Sequence, residues 1–210
     1  MLSFNAGCKY NPKMAKWMEA VRATGRLEVY NNFTGRWAGI FQAGLDDING
    51  LFRQNGIGIE FRETGDQNSA NIVIASANGT VEFRDGNQIF RINVDGSRLH
   101  GHTRKVGSGE TIRKVFIFLP ESPILSTPQD RRPTGTLVMR AIQAHEYIHS
   151  IGLSDADHSG NDLFIGSPDN LPSRDPNQDR LGVRNRGQLV WFPPFILNTD
   201  TISKIQNAWS

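Results

Sequence analysis

The chain has 210 residues, of which 23 are Lys or Arg, 21 are Asp or Glu, and 38% are hydrophobic. This length suits one domain with a buried core. The formal net charge of +2 is nearly balanced and no dense basic cluster occurs, so we expect no nucleic acid and no anionic membrane as partner. No apolar run is long enough for a transmembrane helix, and the first residues lack the pattern of a signal peptide.

The amino-terminal segment, residues 1–34, mixes apolar and basic residues. It contains the single cysteine, Cys8, which excludes a disulfide within the chain and a cysteine-based zinc finger. A weak helical pattern runs through Met14, Trp17, Met18 and Val21. We interpret residues 1–34 as an extension, either a pro-like segment or a packing segment, and residues 35–210 as the main domain.

The elements that follow are clearer. Apolar residues at helical spacing predict an amphipathic helix over residues 35–54, ended by Asn55-Gly56. Strand signals come next, two of them joined as a hairpin by the Asp85-Gly86 turn. The predicted strands are 58–62, 71–75, 80–84, 88–94 and 114–119.

After a polar, proline-bearing loop over residues 120–134, a second helix is predicted from about Thr134 to Ile151. Residues 154–187 are a long polar segment, which in a compact domain is usually functional or mobile. An apolar stretch at 188–197 and a short helix from about Thr199 or Asp200 complete the chain. The order predicts an α/β fold, with a mixed twisted sheet of about five strands packed on two long helices, and a smaller helical C-terminal subdomain.

The second helix carries the sequence His145-Glu146-Tyr147-Ile148-His149. On a helix, the two histidines lie on one face and can share one ion. Glu146 can reach a water bound to that ion, which is the arrangement of a zinc-activated water with a carboxylate base. Gly152 allows the chain to leave the helix in a left-handed turn and bring back a third ligand.

The segment HEYIHSIGLSD resembles the H-E-x-x-H-x-x-G-x-x-H/D motif of the metzincin zinc metallopeptidases. The order of elements over 35–210 is also similar to that of the family's catalytic domain. IEFRETGDQNSANIVIA resembles two of its strands, LHGH at 99–102 its edge strand, and WFPPFILNTDTISKIQNAW the stretch below the metal and the last helix. The resemblance implies a metzincin-like fold, one catalytic zinc ion held by His145 and His149, and Glu146 as the general base.

The sequence departs from the family pattern at two places. The methionine beneath the metal is missing, because the last methionine is Met139, and Trp191 or Phe192 is expected there instead. The third ligand is Asp155 at the usual position or His158 three residues later. We favour His158, since imidazole is the commoner ligand at catalytic zinc sites, with the other residue orienting a ligand.

Other candidate sites have a plainer interpretation beside the functional one. His100 and His102 can bind a structural zinc, or be solvated histidines on an edge strand, which we favour. A calcium site is weakly supported by acidic residues of the long polar segment. Tyr147 is expected in the core, and Cys8 is expected to be a free or buried thiol rather than a pro-segment ligand. The acidic residues are Asp155, Asp157, Asp162 and Asp169.

The function predicted from the sequence is zinc-dependent hydrolysis of peptide bonds by an endopeptidase. Its partner is a protein or peptide substrate, which pairs with the edge strand near residues 98–104. One alternative is a zinc-scaffold binding protein without turnover, and another is a toxin or particle-associated protease with a single target. The resemblance favours secretion, and a monomer is the default expectation.

Overall fold

The structure, a computed structural model, describes residues 15–126, 131–154, 157, 182–185, 188–191 and 197–210. Four helices lie in these ranges: α1 (Glu19–Thr24), α2 (Phe41–Gln54), α3 (Thr136–Ser150) and α4 (Thr199–Trp209). A short 3-10 turn, Gly35–Trp37, precedes α2. The strands are β1 (Lys16–Trp17), β2 (Arg26–Asn32), β3 (Glu60–Thr64), β4 (Ile72–Ala77), β5 (Gly79–Asp85), β6 (Gln88–Val94), β7 (His102–Ser108), β8 (Thr111–Pro120), β9 (Ile124–Ser126), β10 (Arg131–Pro133), β11 (Gly182–Asn185) and β12 (Gln188–Trp191).

The main sheet has six strands. Five of them are parallel, in the order β1-β8-β4-β2-β3, and β7 pairs antiparallel with β8. Among the strands that the structure describes, β8 is the sole partner of β7, so β7 is an edge strand. The predicted α/β class with a mixed sheet, a long helix bearing the histidines and a C-terminal helix is confirmed.

The two faces of the sheet are covered differently. Strand residues such as Ile74 and Ile117 face the main core, where α2 and α3 pack. Their neighbours along the strands, such as Val73 and Phe116, face the β5–β6 hairpin in a second apolar cluster. Because successive side chains of a strand point to opposite faces, the nearly continuous apolar runs of β4 and β8 are what a sheet covered on both faces requires.

The segment before residue 35 differs from the sequence-based expectation. Among the described residues of this segment, 15–34, α1 is the one helix, and Lys16–Trp17 form a strand instead of helix. Residues 26–32 form β2, which lies between β4 and β3 inside the sheet. Leu27 and Val29 are fully buried and alternate with more exposed neighbours, a strand pattern that the helical interpretation overlooked. The domain limits at 34 and 35 stay a prediction.

Several other elements begin or end at residues different from those predicted. The first predicted helix begins at Phe41, since a 3-10 turn and a further turn occupy its predicted start. The predicted loop 120–134 contains the paired strands β9 and β10. The expected edge strand near 98–104 begins only at His102. The hairpin at 80–94 and the last helix at Thr199 lie where they were predicted.

A charged pair links the two long helices. Asp47 of α2 accepts hydrogen bonds from Nε and Nη2 of Arg140 in α3, the first at 2.7 Å. Both side chains are mostly buried, with 20% and 28% of their surface exposed. The hydrogen bond with Asp47 raises the pKa of Arg140 above its usual value. The pair therefore fixes α3 against α2 at a point one turn before the histidines.

In the described part of the chain, no helix has both the length and the apolar composition needed to cross a bilayer.

Candidate metal centre

Helix α3 brings its two histidines together as the sequence predicts. His145 Nε2 and His149 Nε2 lie 2.9 Å apart, and the two rings meet edge to face with centroids 4.6 Å apart. His149 is buried, with 9% of its surface exposed, and His145 is half-buried. Because α3 packs against α2 and the sheet, the backbone positions from which the two histidines project are fixed by the core.

The tautomer of His149 follows from its second nitrogen. Nδ1 of His149 lies 3.2 Å from the carbonyl oxygen of Leu153. A carbonyl oxygen only accepts, so Nδ1 carries the proton and the neutral ring has its lone pair on Nε2. That lone pair points at Nε2 of His145, and two such nitrogens at this distance need a proton or a cation between them.

The donor set is compatible with a metal ion. Two nitrogens bound to one zinc ion at about 2.0–2.1 Å in tetrahedral geometry lie roughly 3.3 Å apart, a few tenths of an ångström more than here. His145, Glu146 and His149 each offer a ligand atom, and these atoms lie within 4.8 Å of one another. Among the described residues, this is the one group of three or more potential metal ligands that meets this criterion.

Glu146 is held by the edge strand and its approach. Its side chain is 2% exposed, and Oε1 accepts a hydrogen bond of 3.0 Å from the backbone N–H of Gly101. Oε2 accepts one of 2.7 Å from the hydroxyl of Thr103. The sequence analysis missed both donors, because they lie more than 40 residues from Glu146 and only the pairing of β7 with β8 brings them to the helix.

Gly101 is required at its position by close packing. A Cβ atom there would lie 2.8 Å from Cγ of Glu146 and 2.9 Å from the carbonyl oxygen of Phe118. Both distances are shorter than real Cβ contacts, so any larger residue would displace Glu146 or the strand. The run LHGH at 99–102, which the resemblance matched to an edge strand, thus contains a glycine that allows close packing against Glu146.

Side chains donate hydrogen bonds to four consecutive backbone carbonyl groups, from Ser150 at the end of α3 to Leu153 in the chain that follows. The indole N–H of Trp17 donates to the oxygen of Ser150 at 2.8 Å, and that of Trp209 donates to Ile151 at 3.0 Å. Lys105 of β7 donates to Gly152 at 2.9 Å and to Leu153 at 2.6 Å. Helix ends leave such carbonyls without helical partners, so these side chains from three distant segments fix the end of the helix.

Most of the remaining candidate residues lie outside the described part of the chain, so the third ligand, the calcium site and the thiol stay predictions. These residues are Asp155, His158, Asp162, Asp169, Phe192 and Cys8, together with the side chain of Trp191. Asp157 accepts hydrogen bonds from the backbone N–H and the hydroxyl of Ser154, at 2.8 and 2.7 Å.

Three further candidate residues, His100, His102 and Tyr147, lie in the described part of the chain. The expectation that both histidines lie on the edge strand is wrong, because His100 precedes β7, which begins at His102; their ring centroids are 5.9 Å apart. Their suggested structural zinc stays a prediction. Tyr147 is fully buried, as expected, and burial raises the pKa of its hydroxyl group.

Comparison with known proteins gives no relative: no protein-family model matches the chain, and no curated protein matches it.

Proposed function

We propose that this protein is a zinc-dependent endopeptidase of the metzincin type, with Glu146 as its general base. The observation that carries the proposal is the convergence of the Nε2 atoms of His145 and His149 at 2.9 Å, with the carboxylate of Glu146 in the same cluster. Two histidine ligands four residues apart on a helix, with a carboxylate next to the first that acts on the bound water, are typical of catalytic rather than structural zinc sites.

The residues that would hold the ion are His145, His149 and a third ligand, His158 in preference to Asp155. Zinc, when bound, lowers the pKa of a coordinated water to about 7 and polarises a carbonyl as a Lewis acid. His149 is fixed for this by its Nδ1–H to the carbonyl oxygen of Leu153, which leaves Nε2 as the ligating atom.

The chain's own residues supply the proton transfers. A carboxylate oxygen of Glu146 takes the proton of the attacking water while the water oxygen bonds to the scissile carbonyl carbon. Glu146 then gives this proton to the departing amine as the carbon–nitrogen bond breaks, so water is consumed and an acid and an amine are released. The low exposure of Glu146 keeps bulk water from competing for the proton.

The substrate would bind along β7. This strand has a free side among the described strands, and its start lies against Glu146 through Gly101 and Thr103. An extended peptide that adds to such an edge gains backbone hydrogen bonds and has its scissile bond near the histidines.

A second function, a zinc-scaffold binding protein without turnover, is favoured by one specific observation. Both carboxylate oxygens of Glu146 accept hydrogen bonds from the protein, which also suits a residue that only joins α3 to the approach of β7. The two functions differ in what Glu146→Gln does, because the amide retains hydrogen bonding but cannot accept the proton of water.

The test is digestion of a mixed peptide library by the zinc-loaded protein, followed by mass spectrometry. We expect cleavage by the wild type, and a loss of about 10²–10⁴-fold in Glu146→Gln with zinc content retained. Glu19→Gln, an exposed change in the first turn of α1, is the matched control and should cleave like the wild type. Equal cleavage by Glu146→Gln would reject the base, and no cleavage of any peptide by the wild type would favour the scaffold. Cleavage of a single sequence would indicate the dedicated protease.

A further inference from the structure

One face of the edge strand β7 is directed at helix α3. Thr103 and Lys105 alternate along β7, so their side chains share a face, and Gly101 precedes them with the same spacing. Each contacts α3 or the chain that leaves it. Other side chains of β7 lie on the opposite face, where Val106 is in the second apolar cluster and Arg104 lies over the ring of Phe90.

Thr103 contacts the base at two points. Its hydroxyl lies 2.7 Å from Oε2 of Glu146 and 3.3 Å from the backbone oxygen of the same residue. With Gly101 on Oε1, these contacts hold both carboxylate oxygens in place. Without this hydroxyl group, as in Thr103→Val, Oε2 of Glu146 would lose its hydrogen bond from residue 103, while the side chain would keep its shape.

Lys105 contacts the chain just after the carboxyl end of α3. Its ammonium group donates to the carbonyl oxygens of Gly152 and Leu153, and the second of these oxygens also receives Nδ1–H of His149. These oxygens belong to residues that lie three and two positions before Asp155 in the sequence. A cation at the carboxyl end of a helix interacts favourably with the helix dipole, and here it also holds the chain that leaves α3.

We propose that Thr103 and Lys105 are positioning residues with separate tasks. Thr103 orients the carboxylate of Glu146, while Lys105 holds the Leu153 carbonyl that orients His149 and the turn that follows. The part that concerns Thr103 rests on the proposed peptidase function, whereas the part that concerns Lys105 needs only a metal at the histidines. A general destabilisation of the fold would not lower the zinc affinity in the Lys105 variant alone and the rate of peptide cleavage at unchanged zinc affinity in the Thr103 variant.

The metal affinity of the folded protein tests Lys105. Zinc binding is measured by competition with a chelator of known affinity, and circular dichroism checks the fold. We expect Lys105→Met to bind zinc about 10–100-fold more weakly, the usual cost of losing a group that orients a ligand. Lys105→Arg, which keeps charge and donors, should recover most of the affinity.

Lys114→Met is the matched control. Lys114 of β8 also donates to a backbone carbonyl, that of Gln67 at 2.8 Å, but far from the histidines, so its loss should leave the zinc affinity unchanged. If Lys105→Met does not fold, Lys105→Gln, which keeps one donor, should show an intermediate loss. If the folded Lys105 variant binds zinc as tightly as the wild type, or if Lys114→Met loses as much zinc affinity, Lys105 is not a positioning residue.

Peptide cleavage tests Thr103. Thr103→Val should keep zinc affinity within about twofold, lower kcat about tenfold and leave KM unchanged, and Thr103→Ser should restore kcat. If Thr103→Val cleaves at the wild-type rate while Glu146→Gln is inactive, the inference on Thr103 is wrong and the peptidase stands. If Glu146→Gln is fully active, the proposed function fails, while the zinc affinity of the Lys105 variants still decides the other half.

Discussion

Gly152 packs its α-carbon against the carbonyl oxygen of Ala15. Gly152 has φ +126°, a backbone region that other residues rarely adopt, and an added Cβ atom would fall well inside the contact distance of that oxygen. Two independent constraints therefore require glycine at the residue where the chain leaves α3. The sequence analysis predicted the turn, but not its contact with a segment more than a hundred residues earlier.

Gly152→Ala should lower the free energy of unfolding by at least about 2 kcal/mol, because backbone strain and a backbone clash act together. It should also weaken zinc binding, since both proposed third ligands follow this residue within the next six positions. Gly50→Ala in α2 is the control: nothing lies within 4 Å of the new Cβ, so it should stabilise by roughly 0.5–1 kcal/mol. Urea unfolding of both variants measures the difference, and equal effects would contradict the account of Gly152.

The pair between α2 and α3 should contribute measurably to stability. Asp47→Asn removes one charge from a paired and mostly buried contact, so we expect the free energy of unfolding to fall by about 1–3 kcal/mol. The control, Glu60→Gln, breaks a pair with Arg62 in which about half of each side chain is exposed, and should change stability by less than about 0.5 kcal/mol. If the two changes cost the same in urea unfolding, the helix pair has no special role.

The stability of the metal-free protein should depend on His102 at acidic pH. Burial lowers the pKa of this imidazole, although the charge of Glu146 acts in the opposite direction. The unfolded chain, in which the pKa is about 6.5, takes up the proton first as the pH falls, so stability is lost below about pH 6.5.

His102→Gln should remove the loss of stability that His102 causes at acidic pH. The stability difference between the variant and the wild type should therefore shift in favour of the variant between pH 7.5 and pH 5. Urea unfolding at the two pH values, with chelator present, measures this shift. The same difference at both pH values would mean that His102 does not titrate differently in the folded chain.

The third ligand is tested by two single variants. His158→Ala should lower zinc affinity far more than Asp155→Ala, because the first would remove a ligand and the second at most a group that orients one, typically about 10–100-fold. Competition with a chelator gives both affinities. If Asp155→Ala empties the site and His158→Ala keeps it filled, the ordinary metzincin spacing applies.

Local periodicity was enough to predict the elements that carry the site. The apolar spacing of α2 and α3 and the apolar run of β8 each report burial of one short segment, and these segments are largely buried in the structure. The Asp85-Gly86 turn signal is also local, and it lies where β5 and β6 pair as a hairpin. The pair His145 and His149 was predictable for the same reason, since helical spacing alone places them on one face.

What the sequence analysis missed depends on contacts between distant segments. The hydrogen bond from Thr103 to Glu146 and that from Lys105 to Leu153 require the register of β7 on β8, which no local pattern specifies. The strand β2 was missed for a different reason. Its alternation of Leu27 and Val29 with polar residues is a local signal, but it stands between charged residues in a segment interpreted as an extension.

The most direct test of the zinc peptidase is a crystal structure with anomalous scattering collected at the zinc edge. The account predicts one anomalous peak within about 2.0–2.1 Å of Nε2 of both His145 and His149, with His158 or Asp155 as the third protein ligand and Glu146 outside the coordination sphere. A zinc peak at His100 and His102 with none at His145 and His149, or direct coordination by Glu146, would contradict it.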